Sequence, residues 1–121
     1  VSASLRTALA DAANTVLGER RCAPYYRSST RSGDAWVSFA RRDRDDTGLG
    51  YMAAWEVRVA LAQNLEDAER WVDENSDALA DALSEWLVIT AVVMVTLVTD
   101  TGNTPGLVVE GVRPHEKEET P

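Results

Sequence analysis

The hydrophobic patterns along the chain predict an α+β fold in the order α-β-β-α-β-β. The expected architecture is a four-stranded, mostly antiparallel sheet with two helices packed on one face. Three observations carry this. Apolar residues recur at helical spacing at the start of the chain and again after Asn64; Tyr51 to Leu61 alternates with a period of two; and Val88 to Thr99 is rich in β-branched residues.

In the first helix Leu5, Leu9, Ala12, Ala13, Val16 and Leu17 form the apolar stripe. Ser2 or Ser4 can cap it, because a hydroxyl accepts from N–H groups that a first turn leaves unpaired, and Gly18 can end it in a left-handed conformation. Residues 20–34 hold Pro24, three serines and Gly33, and read as a loop with a short extended piece at Tyr25 and Tyr26. Trp36 to Arg42 is a strand. Its partner is the next run, in which Tyr51, Ala53, Trp55, Val57, Val59 and Leu61 alternate with Met52, Ala54, Glu56, Arg58 and Ala60. Asn64 caps a second helix of about six turns. Its inward stripe is Leu65, Ala68, Val72, Leu79, Ala82, Leu83 and Trp86. Val88 to Thr99, the turn-forming DTGNTPG and Leu107 to Arg113 make a second hairpin. Residues 1–113 form the single domain and 114–121, PHEKEETP, a polar acidic tail.

With 121 residues there is room for one core and no second domain. No apolar run reaches the length of a membrane helix, which predicts a soluble protein. The first residues lack a charged leader followed by an apolar segment, so secretion by a signal peptide is not expected. One cysteine, Cys22, excludes an intrachain disulfide and fits a reducing cytoplasm. Its neighbours Arg20 and Arg21 could activate it, but an inert thiol at a core edge is the expectation.

No arrangement of residues points to catalysis. The single histidine, His115, stands in the acidic tail, which disfavours a Ser-His-Asp or Cys-His site. TGNTPG lacks the Lys-Ser/Thr of a phosphate-binding loop. Asp43, Asp45, Thr47 and Gly48 imitate the first half of a calcium loop, but Ala54 occupies the position where its bidentate Glu should stand. Neither a metal nor another cofactor is expected.

The charges ask for a partner. Net charge is −8, which opposes nonspecific binding to nucleic acid. Yet Arg20 to Arg44 holds seven arginines against Asp34 and Asp43, and Glu66 to Glu85 holds eight acids against Arg70. Asp73, Asp77, Asp81 and Glu85 stand four apart, a column of like charge in which each neighbour costs about 0.2–0.5 kcal/mol. Arg27 and Arg31 in the first loop, with Arg41, Arg42 and Arg44 at the hairpin tip beside Asp45 and Asp46, form the opposite surface. Head-to-tail contact between the two would close a ring. Val88 to Val98 adds an apolar strip: Val88, Val92, Met94 and Val98 on one face, Ile89, Ala91, Val93, Val95 and Leu97 on the other.

In order and spacing, the segments SLRTALADAA, SGDAWVSFARR, YMAAWEVRVAL, AERWVDENSDALADAL and TPGLVVEG resemble the tail terminator (tail completion) proteins of long-tailed bacteriophages, especially those of actinobacteria. The resemblance spans roughly residues 4–112. It implies a non-enzymatic structural protein of the virion's head–tail junction, assembled in the host cytoplasm. It also implies a hexameric ring that caps the tail tube protein, ends its polymerisation and meets a head-completion protein, with genomic DNA passing through the lumen and no membrane contact. Within that class another neck or tail-tube protein is the rival. A small cytoplasmic α/β ligand- or partner-binding domain is the alternative from outside it.

Overall fold

Gly18 ends the first helix with φ +112°, and its N–H donates to the Asn14 carbonyl at 3.0 Å. The computed structural model describes residues 2–18, 20–27, 31–44, 51–100 and 102–114. Helix α1 is Ser2–Leu17 and α2 is Leu65–Leu83; the strands are β1 (Cys22–Ala23), β2 (Ala35–Arg44), β3 (Tyr51–Ala60), β4 (Val88–Thr99) and β5 (Gly102–Pro114). Asn64 caps α2, its side-chain oxygen accepting from the Asp67 N–H at 3.2 Å.

The fold is α+β, but the sheet is five-stranded and mixed, in the order β1-β2-β3-β5-β4, which corrects the expected four-stranded, mostly antiparallel arrangement. The added strand is β1, whose Cys22 and Ala23 pair in parallel with Ala35 and Trp36. Two residues followed by Pro24 display no periodicity, so sequence pattern has nothing to detect there. Tyr25 and Tyr26 lie beyond β1, exposed and outside any strand. The second hairpin is also longer than its turn residues suggest, because β5 begins at Gly102 and takes in most of DTGNTPG. Pro105 is accommodated beyond the last β3–β5 pair, Ala60 with Gly106, where its missing N–H interrupts no central ladder.

The main core lies between the helices and one sheet face. Leu5, Leu9 and Ala13 of α1 and Ala68, Leu79 and Leu83 of α2 pack on Val37, Trp55, Val57, Val59, Leu107 and Val109. Two residues of the expected α2 stripe point away: Leu65 is 58% exposed, and Trp86, beyond the helix end, is 40% exposed. A smaller cluster on the opposite face joins Trp36, Leu97 and Val108, with Val95 packed against it. Leu97 reaches across β5 because Gly106 has no Cβ to block it. Tyr26 fastens this end of the sheet. Its ring meets Trp36 edge-on at 5.0 Å, and its hydroxyl donates to Asp100 Oδ1 at 3.0 Å and accepts from the Asp100 N–H at 3.1 Å.

Candidate assembly surfaces

The structure divides the arginine-rich segment into two groups. The first surrounds Asp34, which is 1% exposed and the sole buried charged side chain among the described residues. Its carboxylate lies 3.6 Å from Arg21 Nε and 3.5 Å from Arg27 Nη1, and it accepts the Arg31 N–H at 2.9 Å. Arg27 also donates to the Arg21 carbonyl at 2.8 Å. Thus Arg27 holds its own loop in place, and Arg31 contributes its backbone to the same knot. Sequence reading missed Asp34; the available signal was a lone acid following four arginines, Arg20, Arg21, Arg27 and Arg31.

The second group sits at the far end of β2. Arg41 pairs within the chain, with Asp43 at 2.8 Å and with Glu110 of β5 at 3.4 Å. The Asp43 hydrogen bond, then the charges of Asp43 and Glu110, push its pKa above the ordinary value, so it stays a cation. Arg42 lies 5.5 Å from the Phe39 ring centroid. Arg42 and Arg44 are exposed. Asp45 and Asp46, expected beside them, fall outside the described residues, as do Thr47, Gly48 and His115. About seven residues of extended strand, roughly 23 Å, separate this group from Asp34, so the expected single basic surface is two.

The acidic column is present. Asp73, Asp77 and Asp81 lie exposed on α2, and Glu85 follows in the turn after the Ser84 cap rather than on the helix. Among the described residues, none of the four has a cation within ion-pair distance; the α2 pair is Arg70 with Glu66, at 2.7 Å.

Strand β4 is the most unusual surface. Among the described residues it forms one edge of the sheet, paired to β5 alone. None of its twelve residues is charged, and none is proline. A bulge at Thr90, between the Ile89 and Ala91 pairs, shifts the alternation, so Ile89, expected opposite Val92, packs with it toward the helices. The rows across the sheet show how far helical cover extends. Val37, Val57 and Val109 are at most 1% exposed, yet Val92 in the same row is 39% exposed. In the next row Ala35, Val59 and Leu107 are equally buried, and Met94 is 38% exposed. Helical cover therefore thins toward the edge strand, where Ile89 is the β4 side chain that still packs against the main core. Val93 on the other face and Val88 at the start are exposed as well. A groove of about 640 Å³ between Leu65, Met94, Val95 and Pro105 extends this apolar surface, and among the described residues no titratable side chain lines it.

Compared with protein-family models and with curated proteins, the chain matches none.

Cys22 is buried, and desolvation pushes its thiol from 9.0 up to about 12 against the opposing pull of Arg27. It is therefore a packing residue, not a nucleophile. The native protein is expected to leave Cys22 unmodified by a thiol reagent at pH 8 and to react fully once denatured. The unfolded thiol loses its proton first, so this group's contribution to stability is intact below pH 9 and is lost as pH rises towards 12. Labelling counted by mass spectrometry, with and without denaturant, checks the first statement. No three His, Cys, Asp or Glu side chains converge on a metal-binding arrangement among the described residues.

Proposed function

We propose that this chain is a structural assembly subunit of the tail-terminator kind. Copies join into a ring that caps a phage tail tube, ends its growth and presents a surface to the head-completion protein, while DNA passes through the lumen. The observation that carries this reading is β4, a twelve-residue edge strand without charge or proline whose Val88, Val92, Val93, Met94 and Val98 face solvent. Sheet edges in solitary proteins are protected by charge, proline, brevity or cover, and among the described residues β4 has none of these apart from the Thr90 bulge. The unneutralised acids of α2 agree with it, because a partner bearing arginines would relieve their repulsion. The ring's size and its place in the virion come from the resemblance noted above.

Light scattering coupled to size-exclusion chromatography tests assembly. A stable monomer at every concentration would favour a small binding module instead, and gold labelling of purified virions at the head–tail junction tests location. Replacing Arg41, Arg42 and Arg44 together with Glu is expected to abolish the oligomer and leave the monomer folded. The three side chains lie at the exposed end of β2, and the ion pairs of Arg41 there are screened by solvent, so their loss is not expected to unfold the subunit. Unchanged oligomerisation of that variant, read by the same scattering measurement, would show the tip to be a solvated loop.

A further inference from the structure

We propose that the open β4 edge receives the outer edge of β2 from a second copy, so that the sheet continues from subunit to subunit. This rests on the oligomeric reading above and specifies the seam. β1 covers only Ala35 and Trp36, and Arg6 Nη1 takes the Val37 carbonyl at 3.1 Å. Beyond them, among the described residues, no strand lies on the outer side of β2 from Ser38 onward. The other end of β4 is engaged at home, through Leu97 with Trp36 and Asp100 with Tyr26, and the rows that align Arg41 with Val88 and Ser38 with Ala91 leave Val88 to Ala91 for the neighbour.

Strand direction permits the joint. β2, β3, β5 and β4 alternate in direction, so β4 runs opposite to β2. A copy generated by rotation about an axis along the strands keeps both directions. It therefore brings its β2 antiparallel to the first copy's β4 with all helices on the same face. Charge selects this joint over the symmetric one. Arg41 lies in one row with Ala54, Val112 and Val88, placing the arginine end of β2 and the start of β4 at the same end of the sheet. Glu85 is three residues before Val88, and Asp81 is one helical turn earlier. In the rotated copy Arg42 and Arg44, which share the helix face with Ala53, approach those acids, and Phe39, 40% exposed, approaches the valines. Two β4 strands paired about a two-fold axis would instead set the acidic α2 helices side by side, like charge against like.

Peptide-level hydrogen exchange on the full chain, below and above the concentration at which light scattering shows assembly, tests the seam. The expected result is slowed exchange on assembly in both the start of β4, Val88–Ala91, and Ser38–Arg44. Val88→Lys, at an exposed side chain, should retain the monomer's circular dichroism spectrum and raise the midpoint concentration for assembly by about tenfold or more. Protection confined to β4 would overturn the proposal in favour of a two-fold dimer or a foreign strand. Assembly with neither segment protected would overturn the seam and leave the oligomeric reading intact. A monomer at all concentrations would overturn both.

Discussion

Replacing Trp55 with Ala is expected to lower the free energy of unfolding by about 4 kcal/mol, measured by urea titration. Trp55 is the largest side chain buried to this degree, 1% exposed on β3 beneath the helices. Phe39 meets its ring edge-on at 5.1 Å, and the Arg6 guanidinium lies 5.2 Å from its centroid while also lying 4.4 Å from the Tyr25 ring. Truncation would empty that volume and loosen Arg6, whose Nη1 donates to Pro24 at 2.8 Å and to Val37. One atom argues in the other direction: the indole Nε1–H is buried without a hydrogen-bond partner among the described residues. Trp55→Phe removes that orphan donor and keeps an aromatic ring, so its expected cost is smaller, about 1–2 kcal/mol. An Ala variant as stable as the Phe variant would mean that the ring contributes little to the core.

Elements with a strong local signal were legible from residues alone. The stripe ending at Gly18, the Asn64 cap and the alternation of Tyr51 to Leu61 each record a single local choice of backbone. Features set by pairing between distant segments were not. β1 is a strand only because Ala35 and Trp36 lie beside it. The bulge in β4 reverses Ile89 through hydrogen bonding to β5, which composition does not encode. The acidic column could be read because helical spacing fixes its geometry from Asp73 to Asp81, although Glu85 proved to lie past the helix end. The arginines could not be grouped correctly, since sequence proximity hid the length of β2 between Asp34 and Arg41, and the Arg41–Glu110 pair requires the register of three strands.

Asp34→Ala is expected to lower stability by about 3 kcal/mol, with the damage concentrated at β1. The carboxylate is enclosed, but Arg21 and Arg27 are 35% and 29% exposed, so both can turn to water when it is lost, which keeps the cost below that of stranding a fully buried cation. The loss that water cannot make good is local order. Asp34 accepts the Arg31 N–H, and its own backbone N–H donates to the Arg31 carbonyl at 2.9 Å while its carbonyl accepts from the Ala60 N–H at 2.8 Å. The same knot leaves Gly33 at φ +91°, against the Arg21 guanidinium, where a side chain would be strained and crowded. Without the carboxylate the turn loses its internal acceptor, and β1 loses the anchor that sets Cys22 beside Ala35. Asp34→Asn retains an acceptor for the Arg31 N–H but not the charge, so its expected cost is about half as large. Amide exchange separates the two contributions: Cys22 and Ala23 should exchange much faster in the Ala variant, and α2 should keep its protection. Equal stability of wild type and Ala variant would show that the buried carboxylate only offsets its own desolvation, and the arginines around it would then be available to a partner.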